Sequence, residues 1–371
     1  MSKEEKIVKS LLSNAGIAVN GSSPADIKIN NRAFYKKILT QGSLALGESY
    51  MDKWWSCERL DELFYRLIKA NLEKRTAYNL RMVLYGCASF VFNLQSKSRA
   101  FLIGKKHYDA GNDLYGHMLD KRMVYTCGYW ENANNLDEAQ EAKLDLVCKK
   151  IGLKAGQKIL DIGCGWGSFA KYAAEKYGVS VVGVTVSAEQ VKLGKKICEG
   201  LPVDIRLLDY RDVDEKFDHI ISLGMFEHVG YKNYKTYMKV AHRLLKDDGL
   251  FLLHTIGGNE SAISIDPWIE KYIFPNSMLP SIKQISGAAE GLFVVEDLHN
   301  FSADYDKTLM AWHKNFKNNW DKIKINYDGR FRRMWEYYLL SCAGMFRARK
   351  NQLWQIVLSK NGVAGGYKSM R

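Results

Sequence analysis

The sequence predicts an α/β fold: a doubly wound, mostly parallel sheet with helical insertions, preceded by a small mixed N-terminal domain. Two observations carry this prediction. From residue 151 onward, short β-rich runs alternate with helical runs, which is the pattern of right-handed crossovers between parallel strands. The first of these runs ends in DIGCGWG, residues 161–167, and passes directly into a helix. Because ligands of such sheets bind outside the carboxyl ends of the strands, the residues that end the strands are the first candidates for function.

The N-terminal domain is predicted over residues 1–94. It holds a short strand candidate, DIKI, a helix, RAFYKKILTQ, and an amphipathic helix, ERLDELFYRLIKANL. In the last helix the apolar residues recur at helical spacing: Leu60, Leu63, Phe64, Leu67, Ile68 and Leu72. A polar linker is predicted over residues 95–106, and the catalytic domain over residues 107–371.

The catalytic domain is predicted to alternate strands and helices. In order, the runs are KILDIG, FAKYAAEKYG, VSVVGVT, SAEQVKLGKKICEG, DIRLLD, HIISLGMF, YKTYMKVAHRLLK and GLFLLHTIG. In this prediction Glu227 ends the fourth strand, HIISLGMF, and His254 ends the fifth, GLFLLHTIG. Both side chains are therefore expected on the ligand-binding edge of the sheet.

Composition limits the class of protein. Hydrophobic residues make up 47% of the chain, and basic residues exceed acidic ones by 13 charges. The positive excess favours an anionic partner, such as nucleic acid, an acidic lipid surface or phosphates. The N-terminus lacks a secretory signal, and the apolar run over residues 82–94 is too short to span a bilayer. The cysteines form no CxxC pair, which argues for a reducing, cytoplasmic compartment and against a zinc site.

The segment DIGCGWG is the candidate cofactor loop. Gly163, Gly165 and Gly167 permit a sharp turn and the close approach of a ligand, although a purely structural strand-to-helix turn is the alternative. The pattern is neither the GxGxxG of dinucleotide folds nor a phosphate loop. An acidic residue, Asp161, before spaced glycines suits a ligand with an amino group and a ribose but no phosphates. S-adenosylmethionine is such a ligand, and DIGCGWG is similar to the first motif of the class I methyltransferases.

Further cofactor contacts are expected after the second and third strands. Thr185 ends the second strand, with Gln190 in the following helix, and the third strand ends at Asp209 and Tyr210. Asp209 can accept a hydrogen bond from the adenine amine, and Tyr210 offers a stacking face. Two structural alternatives stay open: Thr185 as a residue that starts the helix, and Tyr210 as a core aromatic.

Nearly the whole chain resembles the cyclopropane-fatty-acyl-phospholipid synthases, and more loosely the mycolic acid cyclopropane synthases. The motifs that carry the resemblance are GSLALGESYMDKWW, HYDAGNDLY, VYTCGYW, LDIGCGWG, VVGVTVSAEQ, DYRD, GMFEHVG, FLLHTIG, DPWIEKYIFPN, ADYDKTLMAW and AGMFRAR. The resemblance implies transfer of a methylene unit from S-adenosylmethionine to the cis double bond of an acyl chain in a membrane phospholipid. It also implies a homodimer, and the N-terminal domain favours a phospholipid substrate because the mycolic acid enzymes lack such a domain.

The family uses a bound bicarbonate ion to remove a proton from the transferred methyl group, which closes the ring. The resemblance places the bicarbonate cage on Cys127, Glu227, His254, the backbone of Ile256, and Tyr305. Each residue has an ordinary structural alternative: Glu227 as a helix cap, His254 as a hydrogen-bonded core histidine, and Cys127 as a small buried hydrophobe.

Three more cofactor residues are assigned within these motifs: Tyr125, Thr126 and Trp166. Thr126 stands where the family often has Ser, and its hydroxyl can bind the cofactor carboxylate. Several aromatics could stabilise the developing cation or simply form core: Tyr125, Tyr129, Trp130, Trp268, Phe274 and Trp312.

Cys342 is a rival candidate as a nucleophile. It lies on an apolar helix face formed by Phe331, Met334, Trp335, Tyr338, Cys342, Met345 and Phe346. Packing explains the residue better, since methylene transfer needs no covalent enzyme adduct.

The basic excess is expected to bind an anionic membrane at the inner face of the cell membrane. Its candidate residues are Lys314, Lys317, Lys322, Lys324, Arg330, Arg332 and Arg333, with Trp54 and Trp55 as insertion candidates. A solvated helix face, for the basic residues, and core packing, for the two tryptophans, are the alternatives.

Two other functions remain: methyl transfer that stops at a branched acyl chain or acts on a small-molecule amine, and nucleic-acid binding, which we do not expect.

Overall fold

The structure is a computed structural model of the 371-residue chain and describes residues 1–71 and 111–371. The predicted linker over 95–106, and the domain boundaries at 94 and 107, lie outside the described residues, as does Leu72 of the amphipathic helix.

The described residues form the following helices and strands in chain order. The helices are α1 (Lys3–Asn14), α2 (Ala33–Met51), α3 (Leu60–Lys69), α4 (Asn112–Met118), α5 (Leu136–Lys150), α6 (Ser168–Tyr177), α7 (Ala188–Ile197), α8 (Tyr234–Leu244), α9 (Pro267–Tyr272), α10 (Ile282–Ala289), α11 (Ala303–Ile323) and α12 (Gly329–Arg347). The strands are β1 (Lys28–Ile29), β2 (Trp55–Ser56), β3 (Lys158–Ile162), β4 (Ser180–Thr185), β5 (Val203–Leu207), β6 (Phe217–Leu223), β7 (Leu245–Gly258), β8 (Val294–Asn300) and β9 (Asn351–Ser359).

Side-chain caps fix where several of these helices begin. Asn135 accepts a hydrogen bond from a backbone N–H in the first turn of α5, and Ser187 does the same for α7. Asp266 caps α9, Ser281 forms a capping box at α10, and Asp328 caps α12. Each cap satisfies a backbone donor that has no partner within the helix, which stabilises the helix by about 1 kcal/mol.

The main sheet has seven strands in the order β5-β4-β3-β6-β7-β9-β8. The pairs β4–β5, β3–β4, β3–β6 and β6–β7 are parallel, and β8 pairs with β9 in the antiparallel direction. The prediction of a doubly wound, mostly parallel sheet is confirmed. The strand order reverses at β3, so a crevice is expected at the carboxyl ends of β3 and β6.

Both faces of this sheet are covered. Ile159 and Leu160 are neighbours on β3, and they belong to two different clusters of buried apolar residues. Since successive side chains of a strand point to opposite faces, the two clusters are the two sides of one sheet. This burial explains why the strands read as continuous apolar runs.

The ends of two strands differ from the prediction. β6 ends at Leu223, and Glu227 lies beyond it in a short 3₁₀ turn, Phe226–His228. Gly224 causes the early end, because it takes a positive φ of 70° that turns the chain away from the sheet. His254 lies within β7, paired in register with Leu223, instead of at the strand's end.

The chain divides into two compact units that are not continuous in sequence. Among the described residues, the first unit comprises 1–71, 263–275 and 305–351. The second unit comprises 111–262, 276–304 and 352–371 and holds the seven-stranded sheet. This division differs from the predicted continuous catalytic domain over 107–371, because two later segments fold with the N-terminal residues.

Helix packing explains the composition of the first unit. The backbone of α12 lies so close to α3 that a Cβ added at Gly344 would stand 2.6 Å from the Asp61 carbonyl oxygen and 2.7 Å from the Phe64 Cβ. Arg347 of α12 also donates hydrogen bonds to Asp61 at 2.8 Å and to Asp306 of α11 at 2.9 Å. The late helices are therefore joined to the early ones by both close packing and ion pairs.

Candidate active site

The glycine loop, residues 163–167, follows β3, and one of its three glycines has open space beside it. The three glycines at 163, 165 and 167 all have positive φ angles. A Cβ at Gly163 would meet Met225 at 2.7 Å, whereas a Cβ at Gly165 would have no atom within 4 Å. Gly163 is thus required by packing, while Gly165 borders free space that a ligand can approach.

Asp161 supplies an unpaired carboxylate beneath this loop. It is buried on β3, and among the described residues no hydrogen-bond donor contacts its side chain. Burial raises the pKa of this carboxyl to about 7, although the charge of Lys143 lowers it in part. A buried carboxylate without donors fits the amino group of a bound ligand.

Trp166 and Tyr125 are connected by an aromatic residue that the sequence analysis did not single out. The Trp166 ring lies 5.0 Å from the ring of Tyr115, and Tyr115 lies 5.1 Å from Tyr125. The indole N–H of Trp166 donates to Asn112 Oδ1 at 3.1 Å. Both additional residues belong to the motif HYDAGNDLY, which was the signal that could have found them.

Thr185 and Gln190 are buried and bonded to each other. The Thr185 hydroxyl donates to Gln190 Oε1 at 2.7 Å, and the Ser187 side chain caps the same turn by accepting from the Gln190 N–H at 3.4 Å. These contacts favour the alternative that Thr185 helps to start α7.

Asp209 and Tyr210 follow β5 as predicted, but both have partners. The Arg211 guanidinium donates to both oxygens of Asp209, each at 2.7 Å. The Tyr210 ring is buried in the hydrophobic core, 5.1 Å from the ring of Tyr237. For Tyr210 the contacts favour the core alternative over a free stacking face.

Glu227 lies in the turn beyond β6, and His254 lies on β7, two residues before the backbone N–H that Glu227 contacts. Glu227 Oε1 accepts a hydrogen bond from the backbone N–H of Ile256 at 2.6 Å, and burial raises the pKa of this carboxyl to about 7. His254 Nδ1 lies 3.4 Å from Gln355 Nε2. Burial, together with the charges of Lys143 and Lys150, lowers the pKa of His254 well below its ordinary value, so the ring is neutral.

One polar atom of each residue is left over. Within the part of the chain that the structure describes, Glu227 Oε2 and His254 Nε2 are buried and have no hydrogen-bond partner. Buried polar atoms without partners are rare in folded proteins and indicate a missing ligand or water. A small oxyanion with both acceptor and donor oxygens, such as bicarbonate, fits a neutral imidazole and a carboxyl of raised pKa.

Cys127 and Thr126 lie beside a buried lysine that the sequence analysis missed. Cys127 is fully buried, with its thiol 3.2 Å from the carbonyl oxygen of Gly128. Lys143, on α5, donates to the Thr126 hydroxyl oxygen at 2.8 Å. Nothing in the sequence pattern separates this lysine from the solvated charges of an ordinary helix.

Tyr305 and Cys342 belong to the first compact unit. The Tyr305 ring packs against Trp312 and Phe346, and its place in the cage stays a prediction. Burial raises the pKa of the Cys342 thiol to about 12, so the residue is protonated at neutral pH and is a weak nucleophile. The packing interpretation of Cys342 is therefore favoured.

The strand order, the glycine loop after β3 and the ligand-facing residues beyond β3 and β6 define a class I S-adenosylmethionine-dependent methyltransferase. Comparison with known proteins makes the assignment more specific. Residues 95–356 match the family described as mycolic acid cyclopropane synthetase, and the chain belongs to this family.

Individual relatives agree with this family. The chain is 55% identical to the cyclopropane-fatty-acyl-phospholipid synthase of Escherichia coli over 366 residues, or 99% of this chain and 96% of that protein. Among solved structures, the cyclopropane synthase MmaA2 from Mycobacterium tuberculosis has a TM-score of 0.66 and 30% identity, covering 70% of this chain and 98% of that one. Mycolic acid cyclopropane synthase CmaA1, solved with SAH, has a TM-score of 0.65 and 34% identity, with the same coverage. The predicted family resemblance is confirmed.

Within residues 1–71 and 111–371, no helix combines the length and apolar character needed to cross a membrane. Within those residues, no group of three or more His, Cys, Asp or Glu side chains is arranged to hold a metal ion.

Proposed function

We propose that this enzyme transfers a methylene unit from S-adenosylmethionine to the cis double bond of unsaturated acyl chains in membrane phospholipids, forming cyclopropane fatty acids with bicarbonate as the proton acceptor. The observation that carries the proposal is the pair of buried, unpartnered atoms Glu227 Oε2 and His254 Nε2. The similarity over 99% of the chain to a phospholipid cyclopropane synthase supports the substrate class.

The chemistry requires a base at this position. An alkene is a weak nucleophile, so the site must align it with the methyl donor and exclude water. After methyl transfer, ring closure requires that a proton leave the transferred methyl group, and bicarbonate, when bound, accepts it. Glu227 and His254 would hold that anion, with Cys127 and Tyr305 as the further predicted members of the cage.

Glu227 is better suited to hold the anion than to act as the base. Its Oε1 is occupied by the Ile256 N–H, which fixes the direction of the carboxyl group. His254 is neutral, and Gln355 Nε2 lies near its Nδ1. If Gln355 donates to Nδ1, the ring proton is on Nε2 and can be donated to an anion.

The direct test is to incubate the protein with labelled S-adenosylmethionine and vesicles of unsaturated phospholipid, and then to analyse the acyl chains by mass spectrometry. A cyclopropane product supports the proposal. A branched chain that keeps a carbon–carbon double bond has the same mass as the cyclopropane but is cleaved by ozone, and it would favour the alternative of a methyltransferase that stops before ring closure. Methylation of a small amine, with unchanged acyl chains, would exclude an acyl substrate.

We further propose that the turn between α11 and α12 binds an anionic bilayer at the cytoplasmic face. Ile325 in this turn is 88% exposed, and exposed lysines flank it. Lys317 and Lys322 have no acidic partner among the described residues. Arg333, by contrast, donates to the backbone oxygens of Tyr50 and Trp55 within the first unit, so it is not available to lipid. Trp55 is fully buried, which favours its core alternative.

Vesicle flotation tests this membrane surface. Replacing Lys317 and Lys322 by Gln should weaken binding to phosphatidylglycerol vesicles about 30-fold, at about 1 kcal/mol for each charge near the surface. The matched control replaces two exposed lysines of α7, Lys195 and Lys196, by Gln. Equal losses in the two variants would show that net charge alone determines binding, and retention on DNA comparable to retention on vesicles would favour a nucleic-acid partner.

Sedimentation of the purified protein tests the proposed homodimer.

A further inference from the structure

Lys143 is a charged residue with no exposed surface and no role in the mechanism described so far. Its side chain is 0% exposed, and its ammonium donates to Thr126 Oγ1 at 2.8 Å. One turn earlier on the same helix, Gln140 Nε2 donates to the Thr126 carbonyl oxygen at 2.7 Å. Burying an ammonium costs several kcal/mol, so a lysine at this position requires compensation from what it contacts.

The contact determines what the Thr126 hydroxyl can do. An ammonium has only donors, so Thr126 Oγ1 must accept, and its own proton must point to a different acceptor. Among the described residues no acceptor lies at hydrogen-bond distance from this hydroxyl. The methyl group of Thr126 is held on the other side, since a Cβ at Gly224 would come within 2.6 Å of Thr126 Cγ2. The side chain is therefore held from two directions, with one donor left for a ligand.

The charges of two buried carboxylates, Asp120 and Asp161, act on Lys143, and only Asp120 accepts hydrogen bonds from described residues. Asp120 accepts hydrogen bonds from the backbone N–H groups of Arg122 at 2.9 Å and Val124 at 2.8 Å. Asp161 has no donor among the described residues, and its charge acts on Lys143. Lys143 is thus associated with a carboxylate that has no donor among the described residues, Asp161, and with a hydroxyl that has a proton to donate, Thr126.

This arrangement complements a zwitterion. The amino-acid end of S-adenosylmethionine carries an ammonium and a carboxylate. The ammonium suits Asp161, and the carboxylate suits the Thr126 hydroxyl and the charge behind it. Charge-assisted hydrogen bonds of this kind are stronger than neutral ones.

We propose that Lys143 is a positioning residue of the cofactor site: it directs the Thr126 hydroxyl, and adds positive charge, toward the carboxylate of S-adenosylmethionine. The inference rests on the cofactor part of the proposed function and not on the acyl substrate or on bicarbonate. It also gives a reason for a hydroxyl residue before Cys127, since a hydroxyl can accept from Lys143 and at the same time donate to the ligand.

Binding affinities test this role. Calorimetry would give the Kd of S-adenosylmethionine and of its decarboxylated analogue, S-adenosylmethioninamine, for the wild type and Lys143→Met. Loss of a hydrogen bond to a charged group should raise the Kd of S-adenosylmethionine about 10- to 100-fold, and that of the analogue less than about threefold. The matched control is Lys149→Met, on the same helix but with its side chain 55% exposed, which should change neither Kd.

A second variant keeps the test decisive if Lys143→Met does not fold. Thr126→Val removes the hydroxyl and should produce the same selective loss, whereas Thr126→Ser should bind like the wild type. In the double variant the two losses should not add, because both remove one interaction. Equal weakening of both ligands by Lys143→Met, or additive losses in the double variant, would overturn the proposal. Because the readout is binding, failure to form a cyclopropane would refute the proposed function while leaving this result intact.

Discussion

Glu227→Gln separates the stability of the fold from the function of the site. Glutamine has nearly the same shape as glutamate, and its Oε1 can still accept from the Ile256 N–H, which in the wild type is 2.6 Å from Glu227 Oε1. It differs in that it cannot ionise. The substitution therefore removes one property, the buried negative charge, and leaves the packing in place.

The magnitude follows from the raised pKa. Burial raises the pKa of Glu227 from 4.5 to about 7. The folded protein therefore holds this proton more tightly than the unfolded chain does, so the free energy of unfolding falls as pH rises from about 4.5 to 7. The total loss at higher pH is about 3 kcal/mol, at 1.36 kcal/mol for each pKa unit. Glu227→Gln should match the wild type near pH 4.5 and exceed it by about 3 kcal/mol at pH 8.

Urea unfolding at pH 5 and pH 8 in bicarbonate-free buffer measures this difference. Turnover of the same variant should fall by at least about 100-fold, the usual contribution of a residue that serves proton transfer, with the Kd of S-adenosylmethionine little changed. The matched control is Glu189→Gln, which makes the same change at an exposed position of α7. A stability gain that does not depend on pH, or a cofactor affinity that collapses while turnover at saturation survives, would refute the reasoning.

Three further outcomes are expected. In thermal unfolding, Gly344→Ala should destabilise the first unit by about 2 kcal/mol, because the new methyl group would meet the Asp61 backbone at 2.6 Å. The control Gly287→Ala, in α10, places its methyl group in open space and should be neutral or slightly stabilising. Arg347→Met should cost about 3 kcal/mol in urea unfolding, since it leaves the buried Asp61 without one of its cations; no loss would mean that the ion pair is dispensable. Removal of bicarbonate should slow product formation by the wild type, and its return should restore the rate; a rate indifferent to bicarbonate would exclude it as the base.

The sheet could be predicted from the sequence because its signals are local. Buried parallel strands are short apolar runs, and the closely spaced glycines at 163, 165 and 167 mark a turn in which all three take positive φ angles. The end of β6 could not be predicted in the same way. The run HIISLGMF is apolar throughout, and only the positive φ of Gly224 shows that the strand ends at Leu223.

The residues of the candidate site that lie in recognisable motifs could be predicted from the sequence. Those that are notable only because they are buried could not. Glu227 and His254 were found through their motifs, although their unpartnered atoms are visible only in the structure. Lys143 and Gln355 were missed, because a lysine in a helix and a glutamine in a strand are ordinary residues in a sequence. Only their full burial marks them as candidate functional residues, and burial depends on chain segments that are distant in sequence. The composition of the first unit was missed for the same reason, since α12 packs on α3 across most of the chain length.

Burial also explains how one site can hold charged side chains in one part and nearly neutral ones in another. Near the glycine loop, Lys143 and Asp161 provide opposite charges for a zwitterionic ligand. Beyond β6, burial holds the candidate base-binding residues close to neutrality: the pKa of Glu227 rises to about 7, and that of His254 falls far below its ordinary value. Lys143 contributes to the second effect, because its charge opposes protonation of His254. A neutral imidazole would add no repulsion to a cation on the proposed acyl substrate. Burial is the main cause of this neutrality, and the charges of Lys143 and Lys150 add to it.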